Sequence, residues 1–126
     1  MNFPDDRQYT EHDEWVKRDG NVVTLGISDF AQSELGELVF ADLPEEGDEL
    51  TAGETACEIE SVKAVAEVYA PVSGTVVAVN EALEDAADTI NSDPYGDGWL
   101  LKIEFADGAE FQPMMDAAAY AAKVGG

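Results

Sequence analysis

The feature that most constrains the fold is an isolated lysine, Lys63, between two short runs that alternate in polarity. The first run covers residues 55–59 and the second covers residues 65–71. Short alternating runs are typical of β-strands, so the pattern predicts a β-hairpin with Lys63 at its tip. The tip lacks the Asn-Gly or Asp-Gly pair that a tight two-residue turn favours. The residues at the hairpin tip are therefore not those that a turn with positive φ would select.

A lysine at the tip of a hairpin has two interpretations. It is a solvated charge that discourages edge-to-edge aggregation, or it is the point from which a covalently attached cofactor swings. Around the hairpin, Gly47, Gly53, Pro71 and Gly74 stand at nearly even intervals. Glycine and proline punctuate strands, so these positions indicate further short strands on both sides. A rigid β-framework that presents one lysine favours the attachment interpretation.

This arrangement resembles the lipoyl and biotinyl carrier domains, which carry a modified lysine on an exposed turn. The resemblance implies a mainly β fold: a flattened lipoyl/biotinyl-type β-barrel sandwich, hammerhead-like, with short helices and a C-terminal helix. Biotinyl domains typically flank the lysine with methionines, whereas Val62 and Ala64 flank Lys63 here. Lipoate, covalently bound to Lys63, is therefore the expected cofactor.

Longer motifs narrow the resemblance to the glycine cleavage system H proteins. The matching segments are YTEHDEWV (9–16), GISDFAQ (26–32), LGELVF (35–40), DLP (42–44), VNEAL (79–83) and INSDPYGDGWL (90–100). These segments occur in the family's order, and the resemblance runs from about Tyr9 to Tyr120. A generic lipoyl domain of a 2-oxo acid dehydrogenase would lack both the Trp15 strand and the Trp99 segment.

The resemblance implies a lipoylated shuttle of the glycine cleavage system. It would carry the aminomethyl group of glycine from glycine decarboxylase, a pyridoxal-phosphate enzyme, to aminomethyltransferase, which uses tetrahydrofolate. Dihydrolipoamide dehydrogenase, with FAD and NAD, would reoxidise the dithiol, and a lipoylating enzyme would load Lys63. The chain is thus expected to be a non-catalytic carrier subunit. Two alternatives remain: a lipoate carrier for another relay, and an unmodified interaction module in which Lys63 is replaceable.

The resemblance also implies roles for the neighbours of the lysine. The lipoylating enzyme is expected to recognise the hairpin residues, which are Glu60, Ser61, Val62 and Ala64. In this family, acidic residues before the tryptophan and just after the lysine contact the loaded arm. Glu14 and Glu67 hold those places here. The alternative for either is an ordinary surface carboxylate, because the whole chain is rich in acidic residues.

One departure from the family pattern concerns a histidine. The family usually has it immediately before the Glu-Trp pair, where this chain has Asp13, and His12 stands one residue earlier. On a strand, a shift of one residue turns a side chain to the opposite face. His12 is therefore assigned no role. Trp15 and Trp99 are expected to pack in the core rather than stack on a cofactor.

Length and termini agree with one small carrier. The 126 residues suit a single domain, with a carrier core at about residues 20–105 and a C-terminal helix at about 116–124. No apolar run approaches the roughly 20 residues that a membrane helix needs. The N-terminus is acidic, unlike a signal peptide. The chain is therefore expected to be a cytoplasmic monomer without a membrane partner.

The charge excludes one class of function and suggests a habitat. Asp and Glu total 28 against 6 Lys and Arg, a formal net charge of −22. Nucleic-acid binding depends on clustered Lys and Arg, so it is not expected. The acidic residues are dispersed and hydrophobic residues make up 45%, which is too many for a disordered acidic tail. Dispersed acidity in a folded domain resembles the proteins of halophilic microbes.

We therefore predict that the protein loses stability when salt is removed. Repulsion among its carboxylates is screened as the Debye length falls from roughly 10 Å at 0.1 M salt to about 3 Å at 1 M. The melting temperature, measured from dilute buffer to molar KCl, should rise with salt. A flat profile would contradict the halophilic interpretation.

Overall fold

Two antiparallel β-sheets and several short helices form the part of the chain that the computed structural model describes, residues 1–125. The strands are β1 Gln8–Thr10, β2 Glu14–Asp19, β3 Val22–Ile27, β4 Leu38–Asp42, β5 Glu49–Leu50, β6 Thr55–Ser61, β7 Val65–Tyr69, β8 Gly74–Val79, β9 Leu101–Glu104 and β10 Met114–Met115. The helices are α1 Asp29–Leu35, α2 Thr89–Ser92 and α3 Ala117–Lys123, and a 3₁₀ helix covers Glu81–Glu84. This mainly β structure with a C-terminal helix confirms the predicted fold class.

The two sheets differ in size and enclose a common core. The larger sheet has the strand order β10-β1-β2-β3-β9-β8-β5, and the smaller has the order β4-β6-β7. One cluster of buried apolar side chains joins them, with Leu25 and Ile103 from the larger sheet and Ile59 and Val68 from the smaller. Because burial on one face fixes which side chains point inward, the alternate residues of β6 and β7 point away from this core.

A second, aromatic cluster ties the chain ends together. Strand β1 pairs with β10, and the rings of Tyr9 and Tyr120 stack with centroids 4.7 Å apart. The Trp15 ring is buried beside them, which confirms its predicted place in the core. Its indole N–H donates to the Pro94 carbonyl at 2.8 Å. A β-carbon on Gly26 would lie 2.4 Å from this ring, so only glycine fits at that position.

Short-range sequence signals account for several local features of the fold. A hairpin connects β2 to β3 through Gly20, which has φ 63°, as the Asp-Gly-Asn sequence predicts. Ser28 caps α1, and its hydroxyl accepts from the Ala31 amide at 3.1 Å. The helix ends at Gly36, whose φ is 80°. Asp116 caps α3 in the same manner.

The segment from Tyr9 to Val16 departs from the prediction of one opening strand. It forms two strands, β1 and β2, joined by a turn that contains His12 and Asp13. Asp13 adopts φ 68°, a conformation that short Asp and Asn side chains tolerate better than most. His12 and Asp13 therefore lie in a turn and do not alternate between the two faces of a strand, contrary to the prediction.

The residues that the structure describes include no helix that is both long and apolar enough to cross a membrane.

Candidate functional site

Lys63 lies in the turn of an antiparallel hairpin. Strands β6 and β7 pair from Thr55 opposite Tyr69 to Glu60 opposite Val65. The Lys63 side chain is exposed, as are its neighbours Val62 and Ala64. The hairpin predicted from the alternating runs is thus confirmed, with the lysine at its tip.

The turn contains no glycine, and hydrogen bonds of Ser61 close it instead. Its amide donates to the Ala64 carbonyl at 2.7 Å. Its buried hydroxyl accepts from the amides of Lys63 at 3.2 Å and Ala64 at 3.0 Å. Serine side chains often bond to nearby backbone in this way and stabilise turns without positive φ. The side chain of Ser61 therefore fixes the backbone that presents Lys63.

The residues that follow α1 contact the turn and support it. The Val62 amide donates to the Glu37 carbonyl at 3.0 Å. The Cε atom of Lys63 lies 3.7 Å from the place that a β-carbon on Gly36 would occupy. Asn91 holds this corner by donating to the Gly36 carbonyl at 2.8 Å and accepting from the Leu38 amide at 2.9 Å. The segment after α1 therefore supports the hairpin tip. The aliphatic part of the Lys63 side chain passes over Gly36, which has no side chain.

Glu14 is the most unusual carboxylate of the chain because it is only 2% exposed. One oxygen accepts from the Thr10 hydroxyl at 2.8 Å, and the other accepts from the Tyr69 amide at 2.6 Å. Burial raises the pKa of Glu14 to about 7, although both hydrogen bonds oppose the shift. A nearby negative charge on Asp13 adds to the increase in pKa. Near neutral pH this carboxyl is therefore present in both its protonated and its ionised form.

Glu67 lies on β7, as does Tyr69, whose amide donates to Glu14. It is exposed, and its carboxylate accepts from the Tyr69 hydroxyl at 3.1 Å. This hydrogen bond is the largest cause of the raised pKa of Tyr69. Tyr69 thus bonds to both carboxylates, to Glu14 through its backbone and to Glu67 through its phenol. The structure therefore brings the two predicted arm-contacting residues to one region at the far end of β7.

Tyr69 and His12 are parts of this region that no sequence pattern indicated. The His12 ring packs against the Tyr69 ring with centroids 4.5 Å apart. Asp13 points elsewhere and accepts from the Tyr120 hydroxyl at 2.9 Å. The turn thus places the only histidine next to the region, while Asp13 anchors helix α3. The contact between His12 and Tyr69 could have been predicted only if the pairing of β1 with β2 and the position of β7 beside them were known.

The surroundings of Cys57 make its thiol unreactive. The thiol is buried on β6 among core residues. Burial raises its pKa well above the ordinary value, and the negative charges of Glu14 and Asp42 act in the same direction. A thiol held in its protonated form is a poor nucleophile.

Comparisons with known proteins agree on one family. The profile described as "Glycine cleavage H-protein" matches residues 7–125. The "Glycine cleavage system H protein" of Beutenbergia cavernae is 51% identical over 126 residues, which cover 100% of this chain and 99% of that one. The "Probable glycine cleavage system H protein" of the halophilic Haloarcula marismortui is 51% identical over 120 residues, covering 95% and 94% of the two chains.

A solved structure is similar over nearly the whole fold. The crystal structure of a glycine cleavage system H protein from Mycobacterium marinum superposes with a TM-score of 0.91 and 40% sequence identity. The match covers 98% of this chain and 99% of that chain. Sequence and fold therefore lead to the same conclusion: the chain belongs to the glycine cleavage H-protein family.

Proposed function

We propose that Lys63 carries lipoate in amide linkage and that the chain is the mobile carrier of the glycine cleavage system. The observation that carries the proposal is the geometry of the tip, where Ser61 fixes the turn and leaves the Lys63 amine exposed. The braced turn and the open position at Gly36 suit a lysine that bears a bulky acyl group. When bound, lipoate would supply a dithiolane that accepts the aminomethyl group of glycine and its electrons.

The chain's own residues would present and shelter this arm. Ser61 holds the backbone at the tip, whereas Glu60, Val62 and Ala64 are exposed around Lys63. We assign these four residues to recognition by the lipoylating enzyme, with Ser61 acting through the shape of the turn. Under this assignment the partner enzymes catalyse every chemical step, and the chain itself catalyses none.

Glu14 and Glu67 would hold a cationic end of the loaded arm. A protonated amine near a buried carboxylate gains a charge-assisted hydrogen bond that water weakens at the surface. Glu14 supplies a carboxyl whose pKa is about 7 because of burial, and Glu67 supplies an exposed one. A positive charge close to Glu14 would favour its ionised form and lower this pKa.

The partners follow from the same proposal. Glycine decarboxylase would load the arm, aminomethyltransferase would unload it with tetrahydrofolate, and dihydrolipoamide dehydrogenase would reoxidise it. Membership of the family and the exposed lysine support this order, with no part for nucleic acid or membrane. We also propose that residues 1–126 act as one domain, since β1 and β10 pair near opposite ends of the chain, and that this domain is cytoplasmic and monomeric.

The intact mass of the chain purified from its own cells tests the proposal. We expect one lipoyl increment, located at Lys63 by peptide mapping, and glycine-dependent turnover when the partner enzymes are added. A lipoylated chain that serves only another enzyme system would favour the alternative relay. An unmodified Lys63, in cells that lipoylate other proteins, would favour an interaction module instead.

A further inference from the structure

The smaller sheet exposes two rows of side chains next to the hairpin tip. The register places Phe40, Glu60 and Val65 in one row across β4, β6 and β7. It places Asp42, Glu58 and Glu67 in the next row, farther from the tip. All six side chains are exposed, because they alternate with the residues that face the core. One row is therefore mostly apolar and the other consists of carboxylates.

The row of carboxylates works against the stability of the sheet. Neighbouring strands lie about 4.8 Å apart, and like charges directly opposite each other destabilise a strand pair. Glu58 stands between Asp42 and Glu67 with a like charge on either side. Among residues 1–125 no ion pair reaches this row, because the salt bridges involve Asp6, Glu11 and Asp13.

The other cations of the chain are engaged elsewhere. Arg18 lies over the rings of Phe105 and Phe111, and Lys102 lies over Trp99. The cation nearest the face along the chain is Lys63, which loses its charge when its amine becomes an amide. Lipoylation would therefore leave the face more negative than before.

The apolar row adds exposed hydrophobic surface to the same face. Phe40 is 50% exposed and Val65 is 60% exposed, on either side of Glu60. Val62, at the tip, is 65% exposed. Large apolar side chains grouped on a surface and bordered by polar ones are typical of protein–protein contacts. The face thus combines apolar anchors with a negative border beside the attachment lysine.

We propose that this outer face of the β4-β6-β7 sheet is the docking surface for glycine decarboxylase, the enzyme that would load the arm of Lys63. The docked enzyme would have Lys and Arg around the entrance to its active site and a shallow apolar site that receives Phe40. A second copy of this chain would bring carboxylates against carboxylates, and nucleic acid or anionic lipid would be repelled as well. The inference rests on the proposed carrier function and adds the surface through which it operates.

Glu58→Lys tests the docking surface with two readouts that change in opposite directions. The substitution places a positive charge between two carboxylates, so the melting temperature should rise by about 2–4 °C. The KM of glycine decarboxylase for the lipoylated protein should increase about tenfold while kcat stays the same. Phe40→Ser should also increase this KM, because it removes the apolar anchor.

Matched controls lie on the larger sheet. Glu104→Lys makes the same change in net charge on an exposed strand residue, and Val77→Ser shortens another exposed apolar side chain. Neither should change KM by more than about twofold. All variants should carry the lipoyl increment on Lys63, verified by intact mass before the assay.

The outcomes separate the docking surface from the function itself. If the wild type is accepted by glycine decarboxylase and Glu58→Lys and Phe40→Ser are accepted equally well, the docking surface is wrong and the function stands. An equal increase in KM for Glu104→Lys would point to overall charge and would also refute it. A self-associating wild type, with Phe40→Ser monomeric in sedimentation, would assign the face to a second copy. A wild type without lipoate, or not accepted, would refute both proposals.

Discussion

Lys63→Arg is expected to lose the whole lipoyl increment and to reduce glycine-dependent turnover to the level measured without the protein. Acylation needs a neutral amine, and the guanidinium of arginine stays charged far above the pH at which an ordinary lysine begins to deprotonate. The fold should be unaffected, because the Lys63 side chain is exposed and such substitutions usually change the free energy of unfolding by less than about 0.5 kcal/mol. Intact mass, turnover and thermal melting together test this expectation.

Lys17→Arg is the matched control for the loss of Lys63. Lys17 is also exposed and pairs with Asp6 at 3.3 Å, on a strand of the larger sheet. This variant should keep both the lipoyl increment and full turnover. Normal turnover by Lys63→Arg, in contrast, would show that the attachment site lies elsewhere or that the chain is not a carrier.

Much of the local structure follows from the sequence, because short-range chemistry decides it. The Asp19-Gly20-Asn21 turn and a cap at Ser28 or Asp29 can be predicted from the sequence, since each depends on residues a few positions apart. The alternation of residues 99–105 predicts a strand of that length, whereas the strand in the structure covers Leu101–Glu104. Leu100 and Phe105 still donate backbone hydrogen bonds to Leu25 and Asn21, so the exact strand boundary depends on the partner strands.

The candidate site was harder to predict because its contacts join distant residues. Glu14 and Tyr69 are 55 positions apart, yet one accepts a hydrogen bond from the other. Only the packing of β7 beside the β1–β2 turn creates this bond, and no periodicity in either segment encodes it. The sequence indicates Ser61 only as part of a recognition motif. Its role in closing the turn depends on the hydrogen bonds of its hydroxyl, which the structure shows.

Glu14→Gln is expected to make the protein more stable at pH 8 but not at pH 5. Burial raises the pKa of Glu14 from an ordinary 4.5 to about 7 in the folded state. As pH increases from about 4.5 to about 7, the unfolded chain releases this proton before the folded one does. Stability therefore decreases over that range, by roughly 3 kcal/mol in all. Glutamine does not titrate, so the variant should avoid this loss.

The variant is expected to keep both hydrogen-bonding partners of the native side chain, with the direction reversed at Thr10. The glutamine carbonyl can accept from the Tyr69 amide, and its NH₂ can donate to the Thr10 hydroxyl, which in the native chain donates to Glu14. Free energies of unfolding, measured by denaturant at pH 5 and pH 8, test the prediction. Glu67→Gln is the control, because it removes the same charge from an exposed side chain. Its pH profile should run parallel to that of the wild type.

The same pair of variants separates a structural role of Glu14 from a functional one. A carboxylate that is costly to bury is useful where a cation arrives, because the two charges then stabilise each other in a dry site. On the proposed function, Glu14→Gln and Glu67→Gln should each shorten the lifetime of the loaded arm about tenfold, as expected for loss of one charged hydrogen bond, with lipoylation unchanged. If Glu14→Gln gains stability at pH 8 while the lifetime stays at the wild-type value, Glu14 only braces β7 against the β1–β2 turn. The arm must then depend on other groups.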